Sequence, residues 1–397
     1  MSAAADHLPY GRHLIEDDDV AAVTAALRSE MIAHGPRVGA FETALAASVG
    51  AAEAVACSSG TAALHLALAG LDVGPGDLCV VPSITFLATA TAALFCGADV
   101  VFADVDPATG LMTAETLAQA LGRAPKPARV VLPVHLGGRL CDMAAISAVA
   151  RADGALLVED AAHALGSRGP DGSAGDCALS DAATFSFHPV KTIACGEGGA
   201  VTTNDAKRAQ RMRRLRNHAV VKEGFTDPTL SLDTEGRANP WSYEQNELGF
   251  NYRMNELEAA LGLSQLGKLA RFAARRSELA RLYDAALAPL APVLTLVPPG
   301  PGQSASLHLY VVRIDFAAAG ATRAALMRSL AEEGIGTQVH YIPLHRQPYF
   351  RRRYGEQRLP GADAWYEQVL ALPLFPAMRD EDVARVAEAL TRRLARA

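Results

Sequence analysis

Between about residues 51 and 204, short apolar runs alternate with segments whose apolar residues recur at helical spacing. The runs predict strands over Ala54–Cys57, Leu78–Pro82, Val100–Asp104, Arg129–Pro133, Ala155–Glu159, Ala182–Phe187 and Gly199–Thr203. Between the first five lie predicted helices, Thr61–Ala69, Thr85–Phe95, Ala114–Leu121 and Met143–Ala152. Strand and helix alternating at this spacing imply an α/β fold with a mostly parallel sheet flanked by helices. Ligands in such sheets gather at the carboxyl ends of the strands. The residues just after each apolar run are therefore where chemistry is to be sought.

Past Asn204 the pattern changes. A basic helix, Ala206–Arg216, leads into a polar stretch, Val221–Tyr243, which reads as a long surface excursion at the rim of a site. A helical region from about Asn255 to Leu287 follows, then a Pro/Gly-rich linker, Pro298–Gly302. A strand (Leu307–Ile314), a helix (Thr322–Glu333), a strand (Gly336–Tyr341) and a last helix (Glu381–Ala395) complete a smaller α+β unit. The expected division is 1–245 for the N-terminal segment and large unit, and 246–397 for the small one. No internal repeat or low-complexity tract is visible.

Composition narrows the function classes. A chain of 397 residues can bury a sizeable core without disulfides or structural metal. The net charge of -6 disfavours a general nucleic-acid binder. The six cysteines include no C-x-x-C pair and read as buried thiols of a reducing compartment, with no metal site expected. Met1–Glu16 lacks a basic start followed by an apolar run, and no apolar stretch reaches membrane-spanning length, so a cytoplasmic protein is expected. Only five lysines occur, Lys126, Lys191, Lys207, Lys222 and Lys268, which leaves few candidates for lysine chemistry.

Three segments carry that chemistry. Asp181–Asn204, DAATFSFHPVKTIACGEGGAVTTN, reads as strand, loop and Gly-rich turn into another strand. Its Lys191 sits among Pro189, Val190, Ile193 and Ala194; a solvated loop lysine is the plain alternative. Burial would depress the amine's pKa and free it for a Schiff base. In ALLVEDAAHALGS an apolar strand ends on Glu159-Asp160, where an acid either caps the next helix or serves a ligand. In CSSGTAAL a strand turns through Ser58-Ser59-Gly60 into a helix near Thr61, a place suited to phosphate or merely a helix cap. Dinucleotide and P-loop fingerprints are missing, as is H-E-x-x-H.

Together these segments resemble the DegT/StrS-type sugar aminotransferases, a branch of the fold-type I pyridoxal-phosphate enzymes. The resemblance runs in order through HGPRVGAFE, SSGTAALHLAL, PSITFLATA, VFADVDPATG, VEDAAHALGS, FSFHPVKTIACGEGGA, LGFNYRMNELEAALGLSQL and QVHYIPLH. It implies pyridoxal 5'-phosphate bound to Lys191, which also moves the proton between cofactor and substrate carbons. Asp160 would pair with the pyridinium nitrogen and Phe86 would stack on the ring. His163, where many relatives have glutamine, would lie near the phenolic oxygen. Ser59, Gly60, Thr61 and Ser186 would hold the phosphate, and Asn251 would reach the phosphate of a partner subunit, implying a homodimer with composite sites. His188, Arg253, His340, Tyr341 and His345 are the expected substrate contacts, with a structural loop role as the alternative for His188, and Arg253, Arg346 and Arg216 are the candidates for a diphosphate.

The resemblance implies an exchange between L-glutamate and a keto-sugar nucleotide. FSFHPVK, GFNYRMNE, GLSQL and QVHYIPLHRQPYF look most like the branch that aminates C4 of UDP-4-keto-2-acetamido-2,6-dideoxy-L-hexose in pseudaminic acid biosynthesis. Other branches take UDP-4-keto-pentose or GDP- and dTDP-linked 4-keto-6-deoxyhexoses. A dehydratase branch replaces the lysine with histidine and is disfavoured by Lys191. A non-catalytic cofactor-binding sensor would carry a DNA-binding domain, for which no basic N-terminal extension is present.

Overall fold

The structure, a computed structural model, describes residues 7–394. Seven strands form the large sheet: β1 (Glu53–Cys57), β2 (Leu78–Pro82), β3 (Asp99–Ala103), β4 (Val130–Val131), β5 (Leu156–Asp160), β6 (Ala182–Ser186) and β7 (Gly199–Thr203). Their order is β1-β7-β6-β5-β4-β2-β3. The strands from β2 to β6 pair in parallel, while β7 runs antiparallel between β1 and β6. The strands are nearly continuous apolar runs because helices cover both faces.

Helix α1 (Asp17–Leu27) and helix α2 (Pro36–Val49) precede the sheet. Helix α3 (Gly60–Gly70) follows β1 and is almost wholly buried, which its Ala/Leu sequence allows on every side. Helices α4 (Leu87–Phe95), α5 (Ala114–Arg123), α6 (Met143–Ala152) and α7 (Ala206–Leu215) complete the large unit. Helix α8 (Glu256–Leu266) packs on α1 and α2, and α9 (Leu269–Leu287) continues beside it. A second sheet holds β8 (Leu294–Leu296), β9 (Tyr310–Ile314) and β10 (Val369–Leu372). Its core includes Leu279, Tyr283, Leu330, Leu370 and Leu390. We propose to keep the division after residue 245, with α8 and α9 as the passage between the two units.

Several expected elements differ. The strand expected over Gly336–Tyr341 touches the sheet only at a Gln338–Ala371 bridge. Its place is taken by Val369–Leu372, paired with β9 over four residues. That short apolar run directly follows a helix, Pro360–Gln368, and periodicity alone cannot separate it from helical continuation. The strand expected at Arg129–Pro133 shrinks to two residues. The helix expected from Thr85 starts at Leu87, with Phe86 as its extended N-cap. The helical region from Asn255 breaks at Gly267–Lys268 into α8 and α9. The last helix spans Asp380–Leu394, and Ala395 lies outside the described residues. The 221–243 excursion carries a short helix, Pro228–Ser231, and is closed by pairing of Val220–Val221 with Glu244–Gln245. Among the described residues no helix is long and apolar enough to cross a membrane.

Lys268 ties α1 to the α8–α9 junction. Its Nζ lies 2.6 Å from Asp18, 2.7 Å from the fully buried Asp19 and 3.3 Å from Glu16. Burial works against the charged form of Asp19, but hydrogen bonds from Lys268, Ser264, Gln265 and the Glu16 backbone outweigh it and lower its pKa. Removing the lysine strands a buried charge. Lys268→Met is therefore expected to lower unfolding free energy by about 3 kcal/mol at pH 7 in urea titrations. A depressed carboxylate pKa gives stability that is present above the unfolded value and lost as pH falls through the folded one. The gap between wild type and variant should thus persist down to about pH 4 and shrink below it. A gap that widened in acid would contradict this account.

Candidate active site

A cavity of about 530 Å³ opens at the carboxyl ends of β5 and β6 and the start of α3. Eleven of the predicted site residues line it: Ser59, Gly60, Thr61, Phe86, Asp160, His163, Ser186, His188, Lys191, His340 and Tyr341. The adjacency of β1, β7, β6 and β5 in the sheet brings together the start of α3, Asp160, Ser186 and the Lys191 loop, while Phe86 enters from the loop after β2 and His340 and Tyr341 from the small unit.

At one end stands the first turn of α3. Ser59 is its N-cap, its Oγ accepting from Ala62 N at 3.1 Å while its own O–H stays free to donate. The N–H groups of Gly60 and Thr61 belong to the turn in which a helix supplies no acceptor. This corner is crowded: a Cβ on Gly60 would lie 2.7 Å from the side chain of Ser186, and one on Gly199 would lie 2.2 Å from the backbone oxygen of Ser59. The result is a tight cradle of N–H and O–H donors at a helix's positive end, suited to a phosphate. Ser59 rather than Ser58 faces the cavity, and Ser58 N is taken by Tyr252 O at 2.8 Å.

At the other end Asp160 closes β5, buried to 5% exposure. Its Oδ2 accepts from Thr89 Oγ1 at 2.7 Å and its Oδ1 from Ala162 N at 3.2 Å. The Thr89 proton is thereby committed, so Thr85 Oγ1, 2.7 Å from Thr89 Oγ1, must be the donor of that pair. Consecutive strand residues face opposite ways. Glu159 accordingly points to a second cavity of about 400 Å³, where His135 Nε2 (3.0 Å), Ser180 Oγ (2.5 Å) and Gly175 N (3.1 Å) take up its oxygens. Its carboxylate is spent on structure; that of Asp160 faces the cavity that holds a lysine.

Lys191 reaches this cavity from the loop after β6, which is pinned by Phe187 N to Gly198 O and Cys195 N to Phe187 O, both at 2.9 Å. Burial lowers its ammonium pKa to about 8 against the opposing pull of the Asp160 carboxylate. Burial also holds His163 and His340 below the usual histidine range, His340 at about 3, with the Lys191 charge adding to the effect. Both imidazoles are neutral at neutral pH. Phe86, at 55% exposure, lines the cavity with its ring 6.0 Å from that of Tyr341.

Three predicted residues lie elsewhere. His345 is buried, with Nδ1 2.7 Å from Ser83 Oγ and Nε2 3.2 Å from Asp363, so its ring braces a loop and does not line the cavity. Arg253 lines a separate basic cavity of about 260 Å³ with Arg213 and Arg216, its Nη1 donating to Asn217 Oδ1 at 2.7 Å. Asn251 is exposed and bridges Asn217 through the backbone. Arg346 pairs with Asp363, and Arg216 with Glu42. Residues that sequence reasoning missed include Tyr10, Glu197, Gln338 and Gln347 in the cavity wall and the Thr85–Thr89 relay. Only the relay had a signal, two threonines at i and i+4 after a strand end. The donor set fits pyridoxal 5'-phosphate: a phosphate cradle, a buried carboxylate, a low-pKa amine and an exposed aromatic ring converge on one space.

Residues 13–391 match the sequence profile of the DegT/DnrJ/EryC1/StrS aminotransferase family. The chain is 39% identical over 386 residues to the spore coat polysaccharide biosynthesis protein SpsC of Bacillus subtilis, with 96% of each chain covered. It superposes on Helicobacter pylori PseC, an aminotransferase involved in the biosynthesis of pseudoaminic acid, at TM-score 0.89 and 26% identity, covering 98% of this chain and 100% of that one. The PLP form of Spr1654 of Streptococcus pneumoniae is similar at TM-score 0.87 and 26% identity, covering 98% of this chain and 99% of that one.

Proposed function

The chain belongs to the DegT/DnrJ/EryC1/StrS aminotransferase family, and from that premise we propose that it moves an amino group from L-glutamate to C4 of UDP-4-keto-2-acetamido-2,6-dideoxy-L-hexose, a step of pseudaminic acid biosynthesis, in the cytoplasm. It is a pyridoxal-phosphate-dependent sugar aminotransferase. The observation that carries the reading is the meeting of Lys191, Asp160 and the α3 cradle in one cavity. When bound, pyridoxal phosphate supplies a carbonyl that exchanges with amines and a ring that accepts the electron pair left at a deprotonated carbon.

The chain's own residues divide the remaining work. Ser59, Gly60, Thr61 and Ser186 bind the phosphate. Asp160 holds a proton on the ring nitrogen, and the Thr85–Thr89 relay keeps its carboxylate aimed. Phe86 covers one face of the ring and excludes water. Lys191 Nζ takes a proton from the donor's carbon and delivers one to the sugar carbon, work suited to a group poised near neutral pH. His188, His340 and Tyr341 line the space left for the sugar.

We place Asn251 and Arg253 at the site of a second copy in a homodimer, which accounts for their distance from their own chain's cavity. Exposed apolar residues at Trp241, Tyr243 and Leu248 support such a contact face. A different 4-keto sugar nucleotide, linked to UDP, GDP or dTDP, is the second reading. It is favoured by the 39% identity to a spore coat polysaccharide protein.

The test is a two-step titration of the purified enzyme followed by visible absorbance. L-Glutamate is expected to bleach the band of the lysine-bound cofactor and the UDP-linked 4-keto sugar to restore it. A band that glutamate bleaches but this sugar leaves bleached would keep the aminotransferase and reject the substrate.

A further inference from the structure

The hydrogen-bond polarity around His163 assigns a task to Tyr341. Gly137 N–H donates to His163 Nδ1 at 3.3 Å, so Nδ1 carries no proton. The ring is buried and neutral, its centroid 4.5 Å from that of the equally neutral His308 at a tilt of 46°, and its hydrogen must therefore sit on Nε2. Nε2 lies 3.2 Å from Tyr341 Oη. In that tautomer the imidazole is the donor and the tyrosine oxygen the acceptor. The tyrosine's own hydrogen is left over, in a cavity it shares with Asp160 and Lys191.

The chemistry of the cofactor, as read above, says what that hydrogen meets. In pyridoxal phosphate the ring nitrogen and the carbonyl-bearing carbon are opposite each other, with the phosphate arm on one side and the phenolic oxygen on the other. Asp160 marks the nitrogen, Lys191 the carbonyl and the α3 cradle the phosphate. The resemblance puts His163 on the side that remains, and Tyr341, whose Oη lies 3.2 Å from His163 Nε2, stands beside it in the same cavity. We propose that Tyr341 is a further catalytic residue, its hydroxyl held by His163 Nε2–H as a hydrogen-bond donor to the phenolic oxygen. Around it stand Asp160 and His163 from the end of β5, Lys191 from the loop after β6, Tyr10 from the N-terminal segment and His340 from its own loop. Burial and the Asp160 charge raise the tyrosine's pKa, so the hydroxyl keeps its proton across the working range.

The experiment reads the pH midpoint of the visible band of the cofactor-loaded enzyme, which reports the proton shared between the lysine nitrogen and the ring oxygen. A donor to that oxygen makes it a poorer holder of the shared proton. Tyr341→Phe, which deletes one oxygen, is expected to load normally and to raise the midpoint by about one pH unit. Replacing Tyr341 by 3-fluorotyrosine keeps the shape, strengthens the donor and is expected to lower the midpoint. The fluorinated protein also carries the test if the phenylalanine variant fails to fold. An unmoved midpoint in the variants that load overturns the assignment. So does a shift seen with His163→Leu but absent from both Tyr341 variants, since the histidine would then act on the oxygen directly. A wild type without any visible band after addition of pyridoxal phosphate sinks the cofactor reading itself, an outcome distinct from an unmoved midpoint.

Discussion

Lys191→Ala is expected to fold, to retain pyridoxal phosphate in the α3 cradle and to lose at least about 10⁴-fold in turnover, because it removes the bonding amine and the proton carrier together. Its visible spectrum should be that of free cofactor. The loss is assigned to one atom because no other lysine lines the cavity; Lys268, the most buried alternative, is spent on Glu16, Asp18 and Asp19. The pH dependence follows from the amine's position. With the ammonium lowered to about 8, roughly one amine in ten is neutral at pH 7, against fewer than about one in a thousand for an unperturbed lysine. Capture of added cofactor by the apo wild type should accelerate as pH rises toward 8 and level off above it. Acceleration continuing unchanged to pH 10 would show that Lys191 is not desolvated in solution.

The same lysine shows where sequence reading succeeds and where it stops. The apolar flank Pro189–Val190 and Ile193–Ala194 points to a shielded lysine but leaves a solvated loop lysine open, and the strand end at Glu159-Asp160 leaves a helix cap open; the folded chain brings Asp160 and Lys191 to one cavity. Local sequence cannot say which of two adjacent acids faces which side of a sheet. That depends on what the neighbouring elements bring to each face: both acids border a cavity, but His135, Gly175 and Ser180 already occupy the oxygens of Glu159, whereas Asp160 shares its cavity with Lys191. His345 shows the converse case. A histidine in a functional-looking motif is claimed by Ser83 and Asp363, residues remote in sequence whose approach only the folded chain fixes. The third strand of the small sheet was missed for a related reason, since a four-residue apolar run gains its strand character from the partner it meets. Tyr341 was legible as part of a motif, but its donor role depends on a backbone N–H at Gly137 that fixes the tautomer of His163.

Asp160→Asn separates the ring's electrostatics from the lysine's. The substitution keeps the side chain's size, and the amide oxygen can still accept from Thr89, now 2.7 Å from Oδ2. What it removes is the negative charge proposed to keep the ring nitrogen protonated. Loss of one such buried electrostatic partner is expected to lower turnover by about 10²- to 10³-fold. Cofactor affinity should fall far less, because the phosphate cradle at the other end of the cavity is untouched. Lys191 should respond in the opposite sense. The Asp160 carboxylate pulls the lysine's pKa upward against burial, so its removal leaves the amine neutral to a lower pH than the present value of about 8. The variant's capture of cofactor should then reach its plateau at lower pH than the wild type's, while its turnover collapses. A disabled or displaced lysine would slow both, and a purely structural role for Asp160 would also weaken cofactor binding and lower the unfolding temperature. A lowered capture midpoint together with lost turnover is the pattern that requires Asp160 to act on the ring and Lys191 to act on its own.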